Sequence, residues 1–160
     1  KTFYISRTNT RKCRHNKEGW LDNHRNQCEL IKSAKPKCLL IGDSIVKNLF
    51  LYPKIWKKYF HQEFMNCGIS GDSTQHVLWR ATNLNLPSTV KTVFVLVGTN
   101  NLISDSPIEI VNGIISIGLY FIKENPDIQI LLSGILPRDS STSNKKDVIK
   151  YVHYHIKMFC

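Results

Sequence analysis

The sequence lacks the features of a membrane-spanning or exported protein. No apolar run approaches the roughly 20 residues that a transmembrane helix needs. The first twenty residues are polar and basic and contain no apolar segment of the kind found in a signal peptide. There is no Asn-x-Ser/Thr sequon, and the five cysteines are odd in number and widely spaced, which does not suggest a disulfide framework. These absences favour an intracellular protein of a reducing compartment, most simply the cytoplasm, with no membrane span.

Compact metal-binding patterns are also missing. By residue type, Cys13, His15, His24 and Cys28 could form a zinc site. Their spacing, however, matches no compact C-x-x-C or H-x-x-x-H pattern. The sequence therefore predicts neither a metal ion nor another cofactor.

Acidic residues are scarce at the start of the chain. Residues 1–37 contain ten Lys and Arg against three Asp and Glu, whereas residues 38–160 contain twelve against nine. The first segment also shows no sustained hydrophobic period. We therefore expect residues 1–35 to form a basic arm that packs weakly on a domain formed by residues 36–160. Such an arm is either a solvated linker or, through residues 1–37, a contact for nucleic acid or another acidic surface.

From Pro36 onwards, short apolar runs alternate with helical patterns. The apolar runs, which predict buried strands, cover residues 37–41, 63–67, 92–97 and 128–135. The helical patterns cover residues 44–60 with a break near Pro53, and residues 74–84, 106–125 and 145–159. Strands that are almost entirely apolar and alternate with helices predict a mainly parallel sheet buried on both faces, in a three-layer α/β/α sandwich.

Three of the loops that follow these strands contain residues suited to ester hydrolysis. Ligand sites in such folds lie beyond the carboxyl ends of the strands. Ser44 follows the first strand, Gly71 the second and Asn100 the third. Taken singly, Ser44 indicates a helix N-cap, Gly71 a turn and Asn100 a polar loop. Together they supply a serine nucleophile and three donors for an oxyanion, namely the N–H groups of Ser44 and Gly71 and the side-chain amide of Asn100.

These loops resemble the first three conserved blocks of the SGNH (GDSL-like) hydrolases, in particular the catalytic subunits of intracellular platelet-activating-factor acetylhydrolases. The resemblance implies a flavodoxin-like α/β/α sandwich, no metal, hydrolysis of short acyl (acetyl-like) esters and a possible homodimer. It also implies that Ser44 is the nucleophile and that Ser44, Gly71 and Asn100 bind the oxyanion. The similar stretches are residues 41–44, 66–80, 97–101 and 134–138.

Three polar residues near these blocks have simpler interpretations. Gly-Asp-Ser occurs a second time and ends at Ser73, which we interpret as the N-cap of the helix that follows. Asp43 is interpreted as a structural residue that bonds loop amides. His76 is interpreted as a surface or packing residue, because it lies on the predicted helix.

The resemblance is incomplete at one point. In this family the base is a histidine that follows an aspartate by three positions, near the C-terminus, but no Asp or Glu of this sequence has a histidine three positions later. The family places the last predicted helix, which contains His153 and His155, away from the nucleophile. We therefore expect a C-terminally truncated, catalytically incomplete SGNH domain.

Two other hypotheses remain open. One is a non-enzymatic or accessory esterase-like module of a retroelement-type protein, whose basic arm binds nucleic acid. The other is a degenerate relative that binds partners through the sandwich.

Overall fold

Four short strands and the helices between them form the part of the chain that the computed structural model describes, which is residues 19–60, 63–137 and 143–160. The strands are β1 (Cys38–Gly42), β2 (Phe64–Gly68), β3 (Thr92–Leu96) and β4 (Gln129–Leu132). The α-helices are α1 (Trp20–Ala34), α2 (Ser44–Lys47), α3 (Pro53–Tyr59), α4 (Thr74–Thr82), α5 (Pro107–Glu124) and α6 (Ser143–Phe159). Short 3₁₀ helices cover Asn48–Leu51 and Asn101–Ile103.

The strands form one parallel sheet in the order β2-β1-β3-β4. At the carboxyl end of β1, Gly42 pairs with Gly68 on one side and with Leu96 on the other, so three strands end at the same level. Apolar side chains alternate between the two faces, as strand geometry requires. The predicted α/β sandwich with a mainly parallel sheet is confirmed.

Each face of the sheet is covered by its own set of helices. Leu39 and Ile41 belong to the larger apolar core, which α1, α4, α5 and α6 complete. Leu40 and Leu96 point to the opposite face, where they pack with residues of α2, the 3₁₀ turn and α3. In the part of the chain that the structure describes, none of the helices combines the length and the apolar character that a membrane span requires.

Local sequence signals fix several element boundaries. The break predicted near Pro53 is confirmed: α2 passes into the 3₁₀ turn, and α3 begins at Pro53 after Tyr52, whose backbone is not helical. Ser106 caps α5 through a reciprocal pair of bonds in which the Ser106 N–H donates to Glu109 Oε2 (2.8 Å) and the Glu109 N–H donates to Ser106 Oγ (3.4 Å).

Strand β4 is shorter than the predicted residues 128–135. Beyond its end, the Ser133 N–H still donates to the Val95 carbonyl (2.9 Å). At Gly134 the chain passes against α6, where an added Cβ would lie 2.6 Å from the His153 ring. Close packing on α6 replaces strand pairing from this point.

The prediction that residues 1–35 pack weakly on the domain is wrong for the part of this segment that the structure describes. Residues 20–34 form α1, in which Trp20, His24 and Ile31 are buried. Together with Cys28, these residues follow helical spacing, so that one face of α1 packs on the domain. The pattern is inconspicuous because two of its four members, histidine and cysteine, are not usually counted as apolar. Residues 1–18 lie outside the described part.

Candidate active site

The structure brings the three predicted site residues to the same edge of the sheet. Ser44 lies two residues beyond the end of β1, Gly71 three residues beyond β2 and Asn100 four residues beyond β3. Because these strands end in register, their loops emerge side by side. The edge is therefore the one that a doubly wound sheet uses for ligands.

Ser44 is the first residue of α2 and is half-buried. The preceding Asp43 caps the helix, with Oδ1 accepting a bond from the Ile45 N–H (2.8 Å). This bond confirms the structural interpretation of Asp43. Its other oxygen, Oδ2, is buried without a partner among the described residues. Burial raises the pKa of Asp43, against the lowering effect of the Ile45 bond, and the nearby Asp72 raises it further.

Hydrogen bonds join the three loops to one another. The Ile69 N–H donates to the Gly42 carbonyl (3.1 Å), which links the second loop to the first. The Asn100 side-chain amide donates to the Asp72 carbonyl (2.8 Å), which links the third loop to the second. An amide nitrogen carries two hydrogens, so Asn100 keeps a second donor. Gly71 has a φ of 79°, in the left-handed region that favours glycine.

Beneath these loops lies a buried ion pair that sequence reasoning missed. Arg80 of α4 is 1% exposed and donates from Nε to Asp72 Oδ2 (2.8 Å). Its Nη1 and Nη2 donate to the carbonyls of Cys67 (2.8 Å) and Gly42 (2.9 Å). One guanidinium therefore holds the ends of β1 and β2 and the loop that carries Gly71. The position of Arg80 in the sequence could have indicated this ion pair. Arg80 lies three residues after Val77 on the apolar face of its helix, where a charge requires a buried partner.

Helix α1 completes this network. The indole N–H of Trp20 donates to Asp72 Oδ1 (2.8 Å), so both oxygens of the buried carboxylate are bonded. Gln27 accepts from Arg80 Nη1 (3.1 Å) and donates to the Gly68 carbonyl (3.3 Å). A segment that the sequence assigned to a loosely attached arm thus supports the loops of the candidate site.

A second site residue without a predicted role is Asn101. It is buried, and its Oδ1 accepts from the Thr74 N–H at the start of α4 (3.0 Å). Its amide donates to Asp105 Oδ2 (2.6 Å) and to Gln75 Oε1 (2.9 Å). Asn101 therefore fixes the third loop to α4, and this role is distinct from the one predicted for Asn100.

The second Gly-Asp-Ser has the structural role that was predicted for it. Ser73 is the N-cap of α4, and His76 completes a capping box from the third helical position. His76 Nδ1 accepts from the Ser73 N–H (3.0 Å) and lies 2.8 Å from Ser73 Oγ. The His76 ring also packs beside Trp20, with 5.9 Å between ring centroids. The interpretations of Ser73 as a cap and of His76 as a packing residue are confirmed.

Among the described residues, no histidine or carboxylate forms a hydrogen bond with the Ser44 hydroxyl. His153 Nε2 instead contacts the Ile135 carbonyl (2.8 Å), and His155 packs against Tyr151 and Tyr154. The described residues also contain no group of three or more His, Cys, Asp or Glu placed to hold a metal ion. Of the four residues considered for zinc, Cys13 and His15 lie outside the described part.

His24 should make the stability of the fold depend on pH. Burial lowers its pKa below the usual 6.5, and the Arg80 charge lowers it further. The unfolded chain therefore binds a proton more readily, so stability present above pH 6.5 should be lost as the pH falls below 6.5 towards the lowered pKa of the folded state. Urea unfolding between about pH 7.5 and pH 5.5 measures the slope. His24→Gln should reduce it, and an unchanged slope would assign the pH dependence to other groups.

The comparison with known proteins adds relatives of defined activity. The chain is 36% identical over 121 residues to platelet-activating factor acetylhydrolase IB subunit alpha2 of Rattus norvegicus, covering 74% of this chain and 52% of the relative. It is 38% identical over 121 residues to the alpha1 subunit of the same organism, covering 74% and 51%. The chain thus spans about half the length of the curated relatives it matches. A scan against models of known protein families gives no match.

Solved structures share the fold. AlinE4, an SGNH-hydrolase family esterase, superimposes with a TM-score of 0.60 at 21% identity, covering 78% of this chain and 72% of that one. A GDSL-like lipase from Bacteroides thetaiotaomicron gives a TM-score of 0.60 at 18% identity, covering 84% and 71%. At these identities the likeness concerns the arrangement of strands and helices.

Proposed function

Because this chain belongs to the SGNH (GDSL-like) family and is homologous to platelet-activating factor acetylhydrolase IB subunits, we propose that it provides the nucleophile and oxyanion hole of a serine esterase. The proposed substrates are short acyl, acetyl-like esters. One observation carries the proposal: strands that end in register bring Ser44, Gly71 and Asn100 to a single edge, in loops bonded to one another.

In the proposed reaction, Ser44 Oγ attacks the ester carbonyl carbon while its proton passes to a base. The carbonyl oxygen becomes an oxyanion, which the N–H groups of Ser44 and Gly71 and the free amide hydrogen of Asn100 bind. Collapse of the intermediate releases the alcohol, which takes up the proton, and leaves an acyl-serine that water then hydrolyses. Removing one donor from such an oxyanion hole typically lowers the turnover number by a factor on the order of 10²–10³.

A base and its acid partner are not found beside Ser44 among the described residues. The sequence contains no Asp-x-x-His, and the histidines 76, 153 and 155 have other contacts. We propose that this chain carries the nucleophile and the oxyanion donors, and that its described residues do not supply the acid–base pair that full activity requires.

Predictions about partners and location remain part of the proposal. A homodimer and a retroelement-type role with nucleic acid bound through residues 1–37 are still predictions, and residues 1–18 of that segment lie outside the described part. An intracellular, cytoplasmic location is consistent with the free thiols of the described cysteines, which are Cys28, Cys38, Cys67 and Cys160.

The nucleophile is tested by covalent labelling. We expect a fluorophosphonate to modify the chain once, with the added mass on the peptide that contains Ser44. The reaction should be slow, because the described residues place no base beside Ser44. Ser44→Ala should abolish the labelling. Ser73→Ala is the matched control, because Ser73 lies in the second Gly-Asp-Ser and should not be needed. Equal labelling of the Ser44→Ala variant, or loss of labelling in the Ser73→Ala variant, would contradict the assignment of the nucleophile.

A further inference from the structure

The outer side of the segment that follows Ser44 is unusually apolar for a surface. Five large side chains in the 3₁₀ turn, the linking residue and α3 are at least 48% exposed. They are Phe50 (55%), Leu51 (70%), Tyr52 (58%), Ile55 (48%) and Tyr59 (60%). Together with the exposed lysines 47, 54, 57 and 58, they are called the 47–59 patch. Contiguous apolar residues on a surface mark a site of interaction.

The fold does not need these side chains for its core. Leu49, Trp56 and Phe60 provide the inner side of the same segment and pack on the sheet through Leu40 and Leu96. Helix α3 thus has an apolar inner side and an outer side on which apolar residues and lysines are mixed. Apolar side chains combined with lysines are also the composition of segments that bind a membrane interface.

The charge of the patch indicates what covers it. Residues 44–62 contain four lysines and no Asp or Glu. A symmetric contact between two copies would place this basic surface against itself, which like-charge repulsion opposes. Nucleic acid would satisfy the lysines and could stack on the aromatic rings, but it offers no apolar contact to Leu51 and Ile55. A surface of anionic phospholipid satisfies the lysines through its head groups and the apolar side chains through its acyl boundary.

We propose that the 47–59 patch binds the surface of an anionic phospholipid membrane. Lysines lie at the head-group level, where each contributes electrostatic attraction, while Leu51 and Ile55 enter the acyl boundary. The aromatic rings of Tyr52 and Tyr59 suit the interface because they combine an apolar body with a polar hydroxyl. The Lys58 ammonium lies 5.0 Å from the centre of the Tyr59 ring, so charge and ring are presented together.

The patch is close to the nucleophile along the chain. From Ser44 to Leu51 the backbone passes through α2 and the 3₁₀ turn, a rise of about 13 Å. Binding at the patch would therefore hold the candidate site near the lipid surface, where esters of phospholipids are found. The binding itself does not depend on the esterase proposal, because it is measured without turnover.

The test is flotation of the complete chain with vesicles. We expect binding to equimolar phosphatidylcholine and phosphatidylserine, little binding to phosphatidylcholine alone, and weaker binding as salt is raised. Replacing Leu51 and Ile55 together by serine should lower the partition coefficient at least about tenfold, because apolar surface is no longer buried. Replacing Lys54 and Lys57 by glutamine should lower it about fivefold for each lysine.

A matched control tests whether the position matters. Ile103 and Ile108 are 74% and 47% exposed, close to the values for Leu51 and Ile55, but they lie beside Asp105 and Glu109. Their double serine variant should bind vesicles as the parent does. Circular dichroism and thermal unfolding identify any variant that does not fold, and the lysine variant then still tests the proposal.

Three results would overturn the proposal. If the basic residues 1–37 alone attract the vesicles, the Leu51 and Ile55 variant will bind as well as the parent. If the patch joins two copies, sedimentation without lipid will show a dimer that the same variant converts to a monomer. If the patch binds nucleic acid, the lysine variant will lose binding to an oligonucleotide while vesicle binding is unaffected by either double variant.

Discussion

Replacing Arg80 by methionine should lower the free energy of unfolding by roughly 3–5 kcal/mol, since removing one partner of a buried pair leaves an uncompensated charge. Asp72 is 0% exposed and would lose its ion pair with Arg80, while the bond from the Trp20 indole remains. The carbonyls of Gly42 and Cys67 would lose their guanidinium donors as well. Urea unfolding at neutral pH, with a check that the m-value is unchanged, measures the loss.

Two further variants separate burial of charge from loss of packing. Lys37→Met breaks an ion pair with Glu63 in which both side chains are more than half exposed, so it should cost less than about 1 kcal/mol. Adding Asp72→Asn to Arg80→Met removes the buried negative charge that has lost its cation and should recover part of the stability. A loss below about 1 kcal/mol in Arg80→Met would mean that methionine packing replaces the ion pair. No recovery in the double variant would mean that the loss comes from the missing carbonyl bonds and packing of Arg80, not from the buried charge of Asp72.

How far the fold could be predicted depends on whether its signals are local. The run of β-branched and aromatic residues at 92–97 is sufficient to indicate a buried strand, and β3 is found there. Likewise Ser106 and Glu109 define the start of α5 within four residues. Helix α1 was missed because its buried face is spread over Trp20, His24 and Ile31, among charged neighbours, in a segment whose net charge suggested a solvated arm.

The candidate site, too, contains residues that the sequence could predict and residues that it could not. Ser44, Gly71 and Asn100 could be named from the sequence because each follows a recognisable strand, and a parallel sheet brings such positions together without further information. The supporting network could not be predicted by this reasoning. Trp20 and Asp72 are 52 residues apart in the chain, and Gly42 and Arg80 are 38 apart. No periodicity connects residues that meet only after the helices have packed on the sheet.

As it stands, the chain should hydrolyse a reactive ester such as p-nitrophenyl acetate only weakly. A serine hydroxyl is a poor nucleophile until a positioned base takes its proton. Enzymes that lose a triad member retain roughly 10³–10⁴-fold catalysis over water, through the oxyanion hole and substrate binding. We expect activity of this order, reduced further in Asn100→Ala by on the order of 10²–10³ if that amide binds the oxyanion. Initial rates over a range of substrate concentrations provide the measurement.

Supplying the missing acid and base should raise the turnover number by orders of magnitude. A chimera can join this chain to the part of the rat alpha2 subunit that follows the matched region, where the family resemblance places the Asp-x-x-His block. The gain should disappear in the chimera with Ser44→Ala, and also when the histidine of the added block becomes alanine, since both residues act on the same proton. Ser73→Ala in the same chimera should leave the rate unchanged. If the unextended chain already turns over at a full enzymatic rate, then one of its own histidines acts as the base. His76→Gln, His153→Gln and His155→Gln are the first variants to test, followed by the same change at His15, His24 and His61.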